Sequence, residues 1–136
     1  MDTQAPEYFA DVIALARTVL SDVDFIIDTT PARAILRLQG QYGVYRVFIV
    51  ELCSSTCRKY RYYVLKDTWV EAGFDNSPDP RALQLKYGPK ASKTHSNELV
   101  PHLHRADKTG LYLTEAVDFK YFTVWLTENL QKTSAA

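Results

Sequence analysis

VYRVFIVELCSSTCRKYRYYVLKD, residues 44–67, is the stretch whose reading decides the fold. In its first ten residues both alternating sets are largely apolar, with Tyr45, Val47 and Ile49 on one side and Phe48, Val50 and Leu52 on the other. That pattern predicts a central strand covered on both faces. SSTC is short and polar, and KYRYYVLKD then alternates Tyr60, Tyr62 and Val64 against Lys59, Arg61 and Tyr63. A β-hairpin is the economical reading.

Working toward the N-terminus, GQYG gives a turn, and DFIIDTT and AILRLQG read as two further strands separated by Pro31. Before them, PEYFADVIALARTVL carries Tyr8, Val12, Leu15, Ala16 and Val19 at helical spacing, predicting an amphipathic helix from about Pro6 to Leu20. Toward the C-terminus, Lys66 and Asp67 form a turn before a strand in TWVEAGFDN. FDNSPDP then breaks the sheet, and residues 78–97 read as a long loop with one helical turn at Arg81 to Leu85. ELVPHLHRAD reads as a short strand, which Pro101 places at a sheet edge. Asp118 is a candidate N-cap for a last helix, with Val117, Tyr121, Val124, Trp125 and Leu126 as its apolar stripe.

Helix, consecutive short-linked strands, loop and helix together predict an α+β fold. Its antiparallel sheet has about five to six strands, flanked by an N-terminal and a C-terminal helix packed mainly on one face. The 136 residues read as a single domain, fraying from about residue 131.

Sixteen basic and sixteen acidic residues balance, so net charge gives no global grip on nucleic acid. From Arg81 to Gly110, however, six lysines and arginines face only Glu98 and Asp107, and all three histidines fall there. No apolar run approaches the roughly 20 residues a membrane span needs, and the acidic start lacks a signal-peptide pattern. The expectation is a cytoplasmic protein with reduced Cys53 and Cys57. No cofactor is implied.

Alternation puts His102 and His104 on one strand face, where two imidazoles can exchange protons while Arg105 and Lys108 stabilise a charged phosphorane. The metal alternatives use the same rings: with Cys53 and Cys57 they make a nitrogen–sulfur set for zinc, at an unusual cysteine spacing. With Asp75 or Asp107 they make a set for a divalent ion. Tyr60, Tyr62 and Tyr63 beside Arg58, Lys59 and Arg61 form a second constellation, able to stack bases if exposed but more commonly half-buried packing. His95 reads as an exposed loop residue. P-loop, GxGxxG, GxSxG, HExxH and CxxC motifs are all missing from the sequence.

RKYRYYVLKD, then FDNSPDP, then PHLHRAD, then a C-terminal helix resembles the TumE-like toxins of bacterial toxin–antitoxin systems. That family carries a YRYH-like strand, a W/F-D-N-x-P-H segment and a PHHKH segment. Tyr60, Arg61, Tyr62, Phe74, Asp75, Asn76, Pro78, Pro101, His102 and His104 match. The resemblance extends over roughly residues 1 to 130 in layout. It implies a growth-inhibiting toxin acting on RNA or translation and held by a cognate antitoxin. His102 and His104 would be its catalytic pair, Arg61, Arg105 and Lys108 its phosphate contacts, and Tyr62, Asp75 and Asn76 its pocket. Two departures bear on activity: Asp79 stands where the family has histidine, and Leu103 replaces the second histidine of PHHKH. The competing reading is a non-catalytic binding module that engages a protein through its sheet edge or tyrosine face.

Overall fold

In the computed structural model, residues 4–89 and 97–132 are described. His95 and the end of the tail lie outside the described residues. Helix α1 (Gln4–Val19) leads into five strands: β1 (Ser21–Thr29), β2 (Arg33–Tyr42), β3 (Tyr45–Ser54), β4 (Arg58–Lys66) and β5 (Trp69–Asp75). Helix α2 (Pro80–Tyr87), β6 (His102–Arg105), β7 (Gly110–Leu113) and helix α3 (Phe119–Asn129) complete the chain. The strands form one antiparallel sheet in chain order, β1 to β7. The fold is α+β as expected, with seven strands rather than five or six.

Short turns explain the meander. Gly43 (φ 61°) and Asp67 (φ 55°) supply the left-handed conformations that the β2–β3 and β4–β5 hairpins require. The seventh strand is GLYL, four residues beyond a turn at Ala106–Thr109. Because β7 pairs with it, β6 is an inner strand, not the edge that Pro101 suggested. Pro101 stands one residue outside β6, where its missing N–H costs the ladder nothing, and its carbonyl accepts from Thr114 N at 3.1 Å.

One sheet face carries the main core. Leu36, Val47, Ile49, Tyr60, Tyr62, Val64 and Phe74 point to it, and α1 and α3 cover it with Phe9, Val12, Ala16, Phe119, Phe122 and Leu126. The face α3 buries is Phe119, Phe122 and Leu126, whereas the predicted stripe residues Tyr121 and Val124 are exposed. Asp118 does cap this helix, accepting from Tyr121 N at 2.7 Å. Strand β3 is internal, and among the described residues helices cover one of its faces. Its second apolar set, Phe48, Val50 and Leu52, is half-buried on the face away from these helices.

On that other face the described residues supply one helix, α2, which packs Ala82 and Leu83 against Val100 and Leu111 at the β6–β7 end. Among the described residues no other helix lies on this face, and the site lies where α2 meets the sheet. Among the described residues no helix is long and apolar enough to cross a membrane.

Candidate functional site

Two cross-strand rows build the floor of the site. Arg61, Asp75 and His102 are register partners on β4, β5 and β6, and Tyr63, Gly73 and His104 form the next row. Side chains at alternate positions share a face, so both histidines meet Arg61, Tyr63 and Asp75 on the open side of the sheet. With Ser77, Pro78, Asp79, Arg81 and Lys108 they line a pocket of about 370 Å³.

FDNSPDP folds as it does because each polar side chain replaces a backbone partner. Where the chain leaves β5, Asp75 Oδ1 accepts from Ser77 N at 2.7 Å, which turns the chain outward. Asn76 then extends the ladder with its side chain: Oδ1 accepts from Tyr60 N and Nδ2 donates to Arg58 O, both at 2.9 Å. Its carbonyl accepts from Val100 N, holding the entry to β6. Asp79 caps α2, accepting from Arg81 N at 2.8 Å, and Pro80 starts the helix where a missing N–H is harmless.

The lip of the pocket is the β6–β7 turn, in which Ala106, Asp107 and Lys108 all have positive φ. Left-handed backbone is unfavourable for such residues and persists only where the surroundings enforce it. Asp107 supplies that force by exchanging bonds with Val70, its N–H to Val70 O at 2.9 Å and its Oδ1 from Val70 N at 3.0 Å. The turn sets Lys108 Nζ 5.1 Å from the centre of the Tyr63 ring, and Arg81 Nη1 donates to Lys108 O. Gly73 completes the arrangement: a Cβ there would lie 2.6 Å from Tyr63 Cε1. Only glycine lets this ring lie across β5 toward His104.

The two histidines are held differently. His102 Nδ1 lies 2.5 Å from Val100 O. A carbonyl can only accept, so Nδ1 carries a proton and donates it, which leaves Nε2 as the ring atom turned to the pocket. Asp79 Oδ2 lies 3.9 Å from that Nε2, within ion-pair reach of a protonated ring. Among the described residues His104 Nδ1 is fully buried without a hydrogen-bond partner. Burial, the neighbouring His102 and Lys108 hold the His104 pKa below the usual imidazole range, so its ring is neutral near pH 7. Burial and the Asp75 carboxylate push the Tyr63 hydroxyl up to about 12, keeping it protonated.

Asp75, His102 and His104 each offer a ligand atom, all within 4.8 Å of one another, and this donor set suits a divalent ion. Arg61, Arg81 and Lys108 line the same pocket against the carboxylates of Asp75 and Asp79, a balance that favours an anion. Cys53 and Cys57 are free thiols beside Tyr8 and Arg58 in a separate concavity, so the four-residue zinc set is not assembled.

Of the residues singled out from sequence, His102, His104, Arg61, Asp75 and Lys108 come together. Three do not face the pocket. Tyr62 is fully buried on the helix side, donating to Glu51 at 2.9 Å, and Tyr60 is stacked against it. Asn76 is a backbone pin. Arg105 projects to the helix side, where Nε donates to Glu71 O and the guanidinium lies 5.3 Å from the Trp125 ring centre. Ser77, Asp79 and Arg81 line the pocket without having been singled out as site residues, and Tyr63 enters it from the tyrosine constellation rather than as a predicted contact. Tyr63 was legible, since it alternates against Tyr60 and Tyr62, and Asp79 before Pro80 is a helix-start signal.

Comparison with family models, with characterised proteins and with solved structures finds no match.

Proposed function

We propose that the protein is the toxin of a bacterial toxin–antitoxin pair, of the TumE-like kind, and that its pocket cleaves a phosphodiester of RNA by metal-independent proton transfer. The observation that carries this reading is the convergence of two imidazoles with Arg61, Arg81 and Lys108 in one pocket, one ring holding a buried, unpartnered nitrogen.

Neutral His104 removes the proton from a ribose 2′-hydroxyl, whose oxygen attacks the adjacent phosphorus. The bond from phosphorus to the 5′ oxygen breaks as His102, facing Asp79 across 3.9 Å, donates a proton from Nε2 to that leaving oxygen. The products are a 2′,3′-cyclic phosphate and a 5′-hydroxyl. Arg61, Arg81 and Lys108 stabilise the charge that develops on the equatorial oxygens.

The test is expression alone and together with the adjoining open reading frame, with the ends of cellular RNA identified by mass spectrometry. Growth arrest with cyclic-phosphate ends, relieved by the neighbour, is the expected result. Unaltered arrest and RNA ends in a His102→Ala/His104→Ala variant would sink it. The binding-module reading keeps one supporting observation: edge strand β1 presents Ile26 and Ile27, which are 63% and 42% exposed. That edge is a place for the antitoxin to add a strand.

A further inference from the structure

The pocket continues beyond the histidines. Arg61 and Ser77 line both it and a neighbouring concavity of about 330 Å³, whose Arg37 and Val50 in turn line a groove of about 230 Å³ reaching Phe48 and Ile26. The three hollows share lining residues, which sets them side by side across the strands as a candidate trough. Its axis follows the register, since Arg37, Val50, Arg61, Asp75 and His102 are successive partners from β2 to β6. Four strand spacings of ~4.8 Å make about 19 Å, the reach of a few nucleotides.

The chemistry of the walls selects the occupant. The middle hollow is lined by Arg37, Lys59 and Arg61, with no carboxylate among the described residues lining it. Arg37 pairs with Asp28, but both are more than half exposed, and such a pair is weak enough for a phosphate to displace. Between the cations lie the half-buried Phe48, Val50 and Leu52, and the Arg46 guanidinium sits 5.0 Å from the Phe48 ring centre. Phe48 and Tyr63 are register partners, so both side chains rise from the face that leads to His104. Cations that track a backbone, alternating with rings on which bases stack, are the features of a single-strand binding platform.

We infer that the face of β2 to β4 opposite α1 and α3 binds single-stranded RNA, laid across the strands from Phe48 toward His102 and His104. This rests on reading the histidine pocket as a phosphodiester site. It also gives the half-buried second apolar set of β3 a function, since a base stack needs an accessible apolar surface.

Binding is measured with an end-labelled 2′-O-methyl RNA dodecamer, which cannot be cleaved through its 2′ oxygen, and cleavage with a plain dinucleotide that reaches the pocket alone. Phe48→Ala and Lys59→Glu should each weaken dodecamer binding by about tenfold or more. Lys59→Glu should also lower the salt slope of log affinity by about one. Dinucleotide cleavage should stay within about twofold of wild type in both. Lys59 is exposed, so its variant tests the idea even if Phe48→Ala unfolds. No dodecamer binding by wild type, equal affinity for duplex RNA, or unchanged affinity in Lys59→Glu would each overturn the inference. So would loss of capture of the adjoining gene's product in these variants with RNA binding intact, which would assign the face to a protein. Dodecamer binding that depends on Phe48 and Lys59, without dinucleotide cleavage, would instead refute the catalytic reading and leave the trough standing.

Discussion

The rings of His102 and His104 meet edge to face with centroids 4.8 Å apart, both buried at the floor of one pocket. Under the proposed chemistry, two rings this close act on one phosphodiester as a unit. Replacing either by alanine should lower single-turnover RNA cleavage by about 10²- to 10⁴-fold, and the double variant should fall little further. Independent, multiplicative losses would mean that the rings serve different steps.

His104 makes stability depend on pH with a defined sign. Its folded pKa is depressed by burial, His102 and Lys108, so between that value and the ordinary imidazole pKa of about 6.5 the unfolded chain binds more protons than the folded one. Stability from this group is present above about 6.5 and declines as pH falls through the window. Urea midpoints taken from pH 7.5 down to 5 should therefore drop more steeply in wild type than in His104→Gln. Parallel slopes would contradict it.

Arg105 and Lys108 are three residues apart and belong to opposite faces. Arg105 bonds Glu71 O and stacks on Trp125, whereas Lys108 stands over Tyr63 at the pocket lip. Arg105→Ala should lower stability by about 1 kcal/mol or more and leave RNA affinity unchanged. Lys108→Ala should do the reverse, weakening binding with little effect on the urea midpoint. Affinities that fall equally in both would put Arg105 back among the phosphate contacts.

The face assigned to Arg105 follows from alternation, which also explains how much of the fold was legible. Strand period placed His102 and His104 together and set Arg61 opposite Tyr62, and the turn residues gave the order of the meander. Strand β7 was missed because Gly110–Leu113 offers only four residues, of which Tyr112 and Leu113 are exposed. Its partner β6 was consequently taken for an edge. The stripe of α3 was misread because Tyr121 and Val124 are as apolar as the Phe119, Phe122 and Leu126 that pack, and periodicity alone does not orient a helix with apolar residues on two sides. The role of Asn76 is invisible to any local pattern, since its partners lie on β4, 16 and 18 residues away.

Gly73 and Tyr63 form a testable pair. An alanine Cβ at 73 would overlap the ring, so Gly73→Ala should destabilise by about 1–3 kcal/mol and turn Tyr63 away from His104. In a Tyr63→Ala background the same change should be nearly neutral. A double-mutant cycle in urea without coupling between the two positions would show that the glycine serves something other than this ring.

The buried Glu51 gives the strongest stability prediction. Its carboxylate accepts from Tyr8, from Tyr62 and from Arg58 Nη1 at 2.6 Å, while Arg58 Nη2 donates to Val117 O at 2.6 Å. One carboxylate thus ties α1, β4 and the segment entering α3 across the helix side of the sheet. Burial pushes the Glu51 carboxyl up from the usual range, and Arg58 with the two hydroxyls pulls against it. Burial raises Tyr62 and Tyr8 further, so both remain donors. Glu51→Ala strands an arginine and two hydroxyls and should cost about 3–5 kcal/mol, whereas Glu51→Met/Arg58→Met should recover part of that loss. Because the cluster lies on the face opposite the histidines, cleavage per folded molecule should change far less than stability. Urea denaturation beside active-site titration separates the two, and a cleavage loss exceeding the loss of folded protein would show that Glu51 acts on the pocket through the sheet.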